Sequence, residues 1–181
     1  MTIAAMPEAM DLAPPDAPAP IASDQPLRVV ETRFGPMEFA VSQTISMPRG
    51  VLGFAEHKEF GIAYLPNRFI DQLMLLQSYN DNETSFLVLP LELGSGIIDE
   101  ADLVAACTAI SIDPENAAII VIVTIRDVGG QPQITTNLRA PIILDSDTRN
   151  GWQYVLPNGK YSVRHNLTCQ TATPSSAASV A

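Results

Sequence analysis

Several groups of residues have types and spacings that chemistry uses. Asp99, Glu100 and Asp102 form the densest carboxylate group and, on spacing alone, suit a divalent cation. The spaced acids and glycine of a calcium loop are missing, so the three read as a helix N-cap with first-turn acids that complement the helix dipole. Gly94-Ser95-Gly96 has neither the Lys-Ser/Thr that ends a phosphate loop nor the glycine spacing of a nucleophile elbow. It reads as a flexible strand-to-helix connection. Tyr161, Arg164 and His165 lie close together near the C-terminus, but catalysis needs a carboxylate or nucleophile fixed beside them. A last strand with Tyr161, Val163 and His165 on one face and Ser162 and Arg164 on the other accounts for them. His57, between Glu56 and Lys58, reads as solvated.

The remaining candidates point the same way. Cys107 falls in an apolar helical pattern and Cys169 in a loose C-terminal segment, so both read as free thiols. Neither His57 nor His165 has a second His or Cys at zinc-binding distance in sequence. Phe34, Phe39, Phe54, Phe60 and Phe86 are core candidates, because no strand interleaves aromatics with Arg or Lys as a base-stacking platform does. The residues therefore compose no recognisable active site, metal site or cofactor site, and binding becomes the default function.

The elements that must position these residues follow from an uneven composition. All 10 Gly, all 6 Phe, all 4 Tyr and the single Trp of the 181 residues lie between Leu27 and Leu167. Residues 1–27 are an acidic Ala/Pro-rich arm, with Glu8, Asp11, Asp16 and Asp24 and no Lys or Arg. Neither this arm nor the small, polar tail at 168–181 can bury enough apolar surface to offset its ordering entropy, so both read as disordered. Of the formal net charge of −10, −4 thus belongs to the arm, and the domain at 28–167 keeps a net −6. Ten dispersed bases in an acidic background argue against direct nucleic-acid binding. No apolar run approaches membrane-helix length and no secretory signal pattern opens the chain, so the expectation is a cytoplasmic protein with no membrane partner.

Within the domain, apolar runs bounded by prolines predict strands at 28–34, 37–41, 60–65, 73–79, 85–89, 117–125, 133–138, 141–145, 152–156 and 160–166. Gly35-Pro36, Gly129-Gly130, Asn150-Gly151 and Asn158-Gly159 supply turns, the last two as positive-φ hairpin positions. From about Asn137 the chain reads as a β-meander. One helix at about 100–110 is predicted from the cap at Asp99 and the stripe Leu103, Ala106, Cys107 and Ile110. Strand 117–125 (AAIIVIVTI) has no polar alternation, so both its faces need cover, and the helix is the internal candidate for one of them. The expected fold is mostly β: a small, strongly bent antiparallel sheet or β-barrel with one flanking α-helix.

At Met47-Pro48-Arg49-Gly50-Val51-Leu52-Gly53-Phe54 the sequence resembles the P-x-G-(I/L)-x-G-F signature of the flagellar assembly factor FliW family, with Glu56 following near the usual acid. Thr32-Arg33-Phe34-Gly35-Pro36-Met37-Glu38-Phe39 is similar to the family's opening strand pair, and Leu76-Gln77-Ser78 to its L-Q-S. Phe86 through Pro90, Asn137-Leu138-Arg139-Ala140-Pro141-Ile142 and Tyr161-Ser162-Val163-Arg164-His165 resemble its F-x-V-x-(N)-P, N-L-x-A-P and Y-S-x-R-H blocks. The blocks occur in family order across the whole expected domain. Several also have a structural role. Pro48, Gly50 and Gly53 within six residues make a chain reversal that few side chains can follow, with Phe54 placed to anchor it.

The resemblance implies a non-enzymatic protein that binds flagellin in the cytoplasm and also binds the small basic RNA-binding translational regulator CsrA, relieving repression of flagellin mRNA. A net −6 suits a basic partner. The acids Glu56, Glu59, Asp71, Asp81 and Glu83, expected in loops, and Arg49, Phe54, Asn137, Arg139, Tyr161 and Arg164 from the matching blocks are the candidate contact residues. Two rivals remain: a flagellin-binding chaperone without translational control, and a small hydrolase using Asp99 or His165.

Overall fold

The computed structural model describes residues 25–65, 70 and 72–167. The first described elements form a hairpin, β1 (Leu27–Thr32) and β2 (Gly35–Ala40), in its own two-stranded sheet. Gly35 takes the left-handed conformation at φ 96°, and the Thr32 hydroxyl closes the turn by donating to the Gly35 carbonyl at 2.7 Å. This hairpin lies against the main sheet, with the Arg28 guanidinium 4.3 Å from the Tyr79 ring centre and Phe39 edge-on to the same ring.

The main sheet is antiparallel throughout. It comprises β3 (Ile45–Ser46), β4 (Glu59–Tyr64), β5 (Met74–Ser78), β6 (Ser85–Leu91), β7 (Ala117–Val128), β8 (Gln131–Thr136), β9 (Ile142–Asp145), β10 (Gly151–Gln153) and β11 (His165–Asn166). Its main path runs β10-β9-β7-β6-β5-β4-β3, and β8 and β11 branch from β7. On the side away from β6, β7 pairs first with β9, through Ala117–Ile120, and then with β8, through Val123–Val128.

The long apolar strand does need cover on both faces. Ile119 and Val121 pack with Leu103, Ala106 and Cys107 of the helix α1 (Glu100–Ala109), whereas Ile120 joins Phe60, Leu76, Val88 and Ile142 on the other side. Continuous burial on two faces explains the missing polar alternation. The sheet curls until the Ser46 amide donates to the Arg149 carbonyl at 2.9 Å, a single bridge instead of a ladder. The fold is thus the bent sheet of the two expected alternatives, and the barrel does not close.

Three expectations are corrected. The predicted strand at 160–166 shrinks to His165–Asn166, which pairs with β8 and not with the preceding strand. The reason is Tyr161, only 7% exposed, whose hydroxyl donates to the Asp102 carboxylate and accepts from the Asp99 amide. Pulling that side chain under the helix end breaks the alternation that a strand requires, and Val163 and His165 are left exposed. The meander fails as well, since β9 pairs with β7 and β10 while β8 leads to β11. At the β9–β10 turn it is Arg149, at φ 58°, that takes the left-handed conformation; Gly151 is needed because a Cβ there would lie 2.7 Å from the Leu144 side chain. Asn158 makes its turn by accepting the Lys160 amide at 3.1 Å.

Smaller differences have local causes. Asp99 sits at the N-cap position of α1, but its carboxylate makes no capping bond and pairs with Lys160 instead. Phe34, at the tip of the first hairpin, is 50% exposed and no core residue, whereas Phe39 and Phe60 are fully buried. Cys107 is a buried free thiol, raised above its usual pKa by burial. Cys169, most of the arm and the tail lie outside the described residues.

Candidate functional site

The Met47–Phe54 segment folds as two successive turns. The Gly50 amide donates to the Met47 carbonyl at 2.8 Å and the Phe54 amide to the Val51 carbonyl at 2.7 Å. Gly50 sits at φ 68°, where an added Cβ would run into the Phe54 carbonyl oxygen, so backbone occupies the place of a side chain. Met47 and Val51 point inward and anchor the loop. Phe54 does not: it is 38% exposed and lies edge-on against Phe86, with ring centres 5.1 Å apart. Leu52 beside it is 58% exposed. The result is a small apolar surface held on a rigid double turn, with Arg49 and Glu56 exposed on the same segment.

Two side chains tie this loop to the rest of the molecule. Gln153 accepts the Leu52 amide at 2.9 Å through Oε1 and donates from Nε2 to the Ala140 carbonyl at 3.1 Å. That joins the loop to the Asn137–Pro141 segment, where the Asn137 side chain accepts the amides of Arg139 and Ala140 and so shapes the entry to β9. His57 is half-buried, not solvated, with Nδ1 2.8 Å from the Ser78 hydroxyl. Its ring lies 6.1 Å from that of Phe54. Through His57 the loop reaches the turn between β5 and β6.

That turn carries Asp81 and Glu83. Asp81 accepts the Glu83 amide at 3.1 Å on one oxygen and the Thr84 hydroxyl on the other, and these hydrogen bonds, Thr84 first, hold its pKa below the usual carboxylate value. Inside the turn lies Gln77, fully buried, with the two N–H groups of Nε2 shared among the carbonyls of Ser78, Asp81, Asn82 and Thr84, which lie within 3.4 Å. Of the other predicted acids, Glu59 is exposed but stands in β4, not in a loop, and Asp71 lies outside the described residues. Arg49, Phe54 and Glu56 thus stand on one loop and Asp81 and Glu83 on a second, and the His57–Ser78 contact joins the two.

Tyr161 belongs to a different corner. With Asp99, Asp102 and Lys160 it closes the N-terminal end of α1: Lys160 pairs with both carboxylates, at 3.0 Å for Asp102. Arg164 is exposed beyond it. Asp102 is held below its usual pKa, first by the Tyr161 hydroxyl and then by Lys160. Among the described residues no group of three or more His, Cys, Asp or Glu is arranged to hold a metal ion, and no helix is long and apolar enough to cross a membrane.

Sequence reasoning named Phe54, Glu56, Asp81 and Glu83 but missed the side chains that organise them, Gln77, His57 and Gln153. One signal was available for Gln77: it is the first polar residue of the apolar run LMLLQ. The Ser78–His57 pair has the residue types of nucleophilic chemistry, but Ser78 is fully buried, out of reach of a substrate. This geometry offers contact: an exposed apolar centre beside acids that, among the described residues, pair with no base.

Known proteins share this arrangement of chain. The family model described as "FliW protein" matches residues 28–167. The flagellar assembly factor FliW of Syntrophus aciditrophicus (strain SB) is 31% identical over 142 residues, covering 78% of this chain and 87% of the relative. That of Moorella thermoacetica (strain ATCC 39073 / JCM 9320) is 33% identical over 143 residues, covering 78% and 88%. A crystal structure of the flagellar assembly factor FliW superposes with a TM-score of 0.60 at 24% identity, covering 77% of this chain and 96% of that one, and has the same fold.

Proposed function

The chain belongs to the FliW family of flagellar assembly factors, and from that premise we propose that it binds flagellin in the cytoplasm and captures the small basic RNA-binding regulator CsrA, relieving repression of flagellin mRNA. The observation that carries the regulator half is the connected face at Phe54. There, exposed apolar surface (Leu52 and Phe54) stands with Arg49, Glu56 and Lys58 on one loop, and His57 joins it to the turn of Asp81 and Glu83, which internal hydrogen bonds fix. An apolar centre with a charged rim is the usual anatomy of a protein contact. Opposite charge on a basic partner raises the association rate and disfavours acidic competitors.

In this mechanism the protein acts by occupancy. Bound to flagellin it leaves the regulator free to repress; once flagellin is exported it captures the regulator without touching RNA. The domain's net charge of −6 supports the division of labour, since it attracts the RNA-binding protein and repels the RNA.

The test is co-purification from cells of its own organism at low and high salt, joined to a flagellin translation reporter. Recovery of flagellin together with a small basic RNA-binding protein, the latter lost at high salt, is the expected result. Recovery of neither overturns the proposal. Recovery of flagellin alone, with translation unchanged on deletion, reduces the protein to a flagellin chaperone.

A further inference from the structure

We propose that Gln77 is the positioning residue of this contact face: its buried side-chain amide draws the carbonyls of the β5–β6 turn together and so fixes Asp81 and Glu83 beside Phe54 for a basic partner. This rests on the regulator-binding reading above and names the residue on which that face depends.

Gln77 is an unexpected residue for its place. All five residues of β5 are buried, and Gln77 is fully so, between Gly61 on β4 and Ser85 on β6. Directly opposite residues of an antiparallel ladder project to the same face, so these three form one row. Gly61 keeps the row open only for tightly packed neighbours: a Cβ there would meet Phe39 at 2.5 Å and the Tyr79 hydroxyl at 2.6 Å. The amide is shut off from solvent, and its Oε1 has no hydrogen-bond partner among the described residues. Leaving an acceptor buried and unpaired is destabilising, a cost that a Leu or Met at the same position would not incur. The hydroxyls of Tyr79 and Ser85 are likewise buried without a partner, so the acceptor end of the amide finds no bond in this row among the described residues.

The other end of the same group does. Nε2 lies 3.0 Å from the carbonyl oxygens of Ser78 and Asp81, 3.2 Å from that of Thr84 and 3.4 Å from that of Asn82. Four carbonyls aimed at one point repel each other unless a donor sits at that point. The amide supplies it, and its orientation is fixed, because reversing it would set Oε1 against all four. With the carbonyls gathered, the turn can present the Asp81 carboxylate to the Glu83 amide and the Thr84 hydroxyl, and the Ser78 hydroxyl to His57. His57 in turn leads to the loop of Phe54 and Glu56. The acids are thus placed before a partner arrives, and binding incurs no ordering cost for this turn.

Two substitutions test this in the full chain. Gln77→Met keeps the volume and removes the donor; Gln77→Glu restores one donor, but only when the buried carboxyl is protonated. Two quantities are read: amide hydrogen exchange across residues 79–84 of the free protein, and affinity for the CsrA-type regulator of the same organism, purified. For Gln77→Met we expect a folded protein whose turn exchanges at least tenfold faster and whose regulator affinity falls about tenfold, with exchange in α1 unchanged. Gln77→Glu should behave like Gln77→Met at pH 8 and regain turn protection and affinity toward pH 5.5, a recovery that neither wild type nor Gln77→Met shows.

Unchanged exchange in Gln77→Met, affinity within twofold of wild type, or a Gln77→Glu profile parallel to that of Gln77→Met would each overturn the proposal. So would loss of the whole fold in both variants, because Gln77 would then hold the core and not the turn. Failure of the wild-type chain to bind the regulator at any salt overturns the functional reading, and is told apart because the exchange measurement needs no partner.

Discussion

The two acidic corners of this molecule handle charge in opposite ways. At the start of α1, Asp99 and Asp102 are brought onto Lys160 and the Tyr161 hydroxyl, so part of their charge is offset within the protein. At the β5–β6 turn, Asp81 receives only neutral donors, the Glu83 amide and the Thr84 hydroxyl, and Glu56 and Glu83 stand exposed nearby. Hydrogen bonds from neutral groups fix a carboxylate in place without cancelling its field; a lysine cancels it. Clustered acids therefore produce one corner whose charge is partly offset by Lys160 and one that, among the described residues, carries no ion pair and can attract a cation-rich surface. Proximity to a base decides between them, and the sequence separation of the base does not.

The contrast can be broken most severely at Gly50. Gly50→Ala drives a methyl into the Phe54 carbonyl at a positive φ, and we expect a stability loss of roughly 2–4 kcal/mol by urea denaturation. Regulator binding should be lost while the chemical shifts of α1 stay in place. Spread of the disturbance into α1 would show that the two corners are one cooperative unit. Next in size is the Lys160 corner itself. Tyr161→Phe removes a hydroxyl that both donates and accepts, and should cost about 1–2 kcal/mol, with partner affinity unchanged.

Charge changes come below these. Glu83→Lys should leave stability within about 0.5 kcal/mol and slow association with the regulator several-fold in low salt, the difference shrinking by about 0.5 M salt as screening sets in. Asp99→Asn serves as the control and should leave the rate near that of wild type, because its charge is already paired. A rate equally sensitive to both substitutions would erase the distinction between the corners.

The smallest effect is expected from pH. Asp102 has a depressed pKa, from Tyr161 first and Lys160 second, so its stabilisation is complete above the ordinary Asp value and is lost as pH falls through the lower, folded value. Lys160 is raised above its ordinary value, by Asp99 first and Asp102 second, so its contribution is present below the ordinary Lys value and fades only as pH rises through the higher, folded one. The α1 corner should therefore be indifferent to pH between about 5 and 9. Thermal midpoints of wild type and Lys160→Met compared across that range should keep a constant difference.

Much of the fold was legible because its signals are local. The non-alternating strand at 117–125, the stripe Leu103, Ala106, Cys107 and the glycine at the first hairpin each follow from residues close in sequence. The last strand was misread because Tyr161 is governed by Asp102, 59 positions away, and a period-2 pattern carries no record of such a contact. The candidate face divides in the same way. Exposed loop acids such as Glu83 can be named from composition, whereas Gln77 and Gln153 matter through carbonyls and amides that only the folded backbone brings to them. Glu59 lay just outside the predicted strand at 60–65 and so was placed in a loop; in fact it begins β4, and the Tyr79 amide donates to its carbonyl.

The Leu52–Gln153 hydrogen bond joins residues 101 positions apart, and this separation has a meaning in time. At a synthesis rate of about 5–20 residues per second, Gln153 follows Leu52 by roughly 5–20 s. Within that interval Phe54 and then the face's acids, the last at Glu83, are added to the growing chain, but the double turn lacks the side chain that fastens it to the Asn137–Pro141 segment. The double turn is thus fastened only after β10 has been made, and a ribosome that stalls before β10 releases a product carrying the face's residues without the clasp that sets their arrangement.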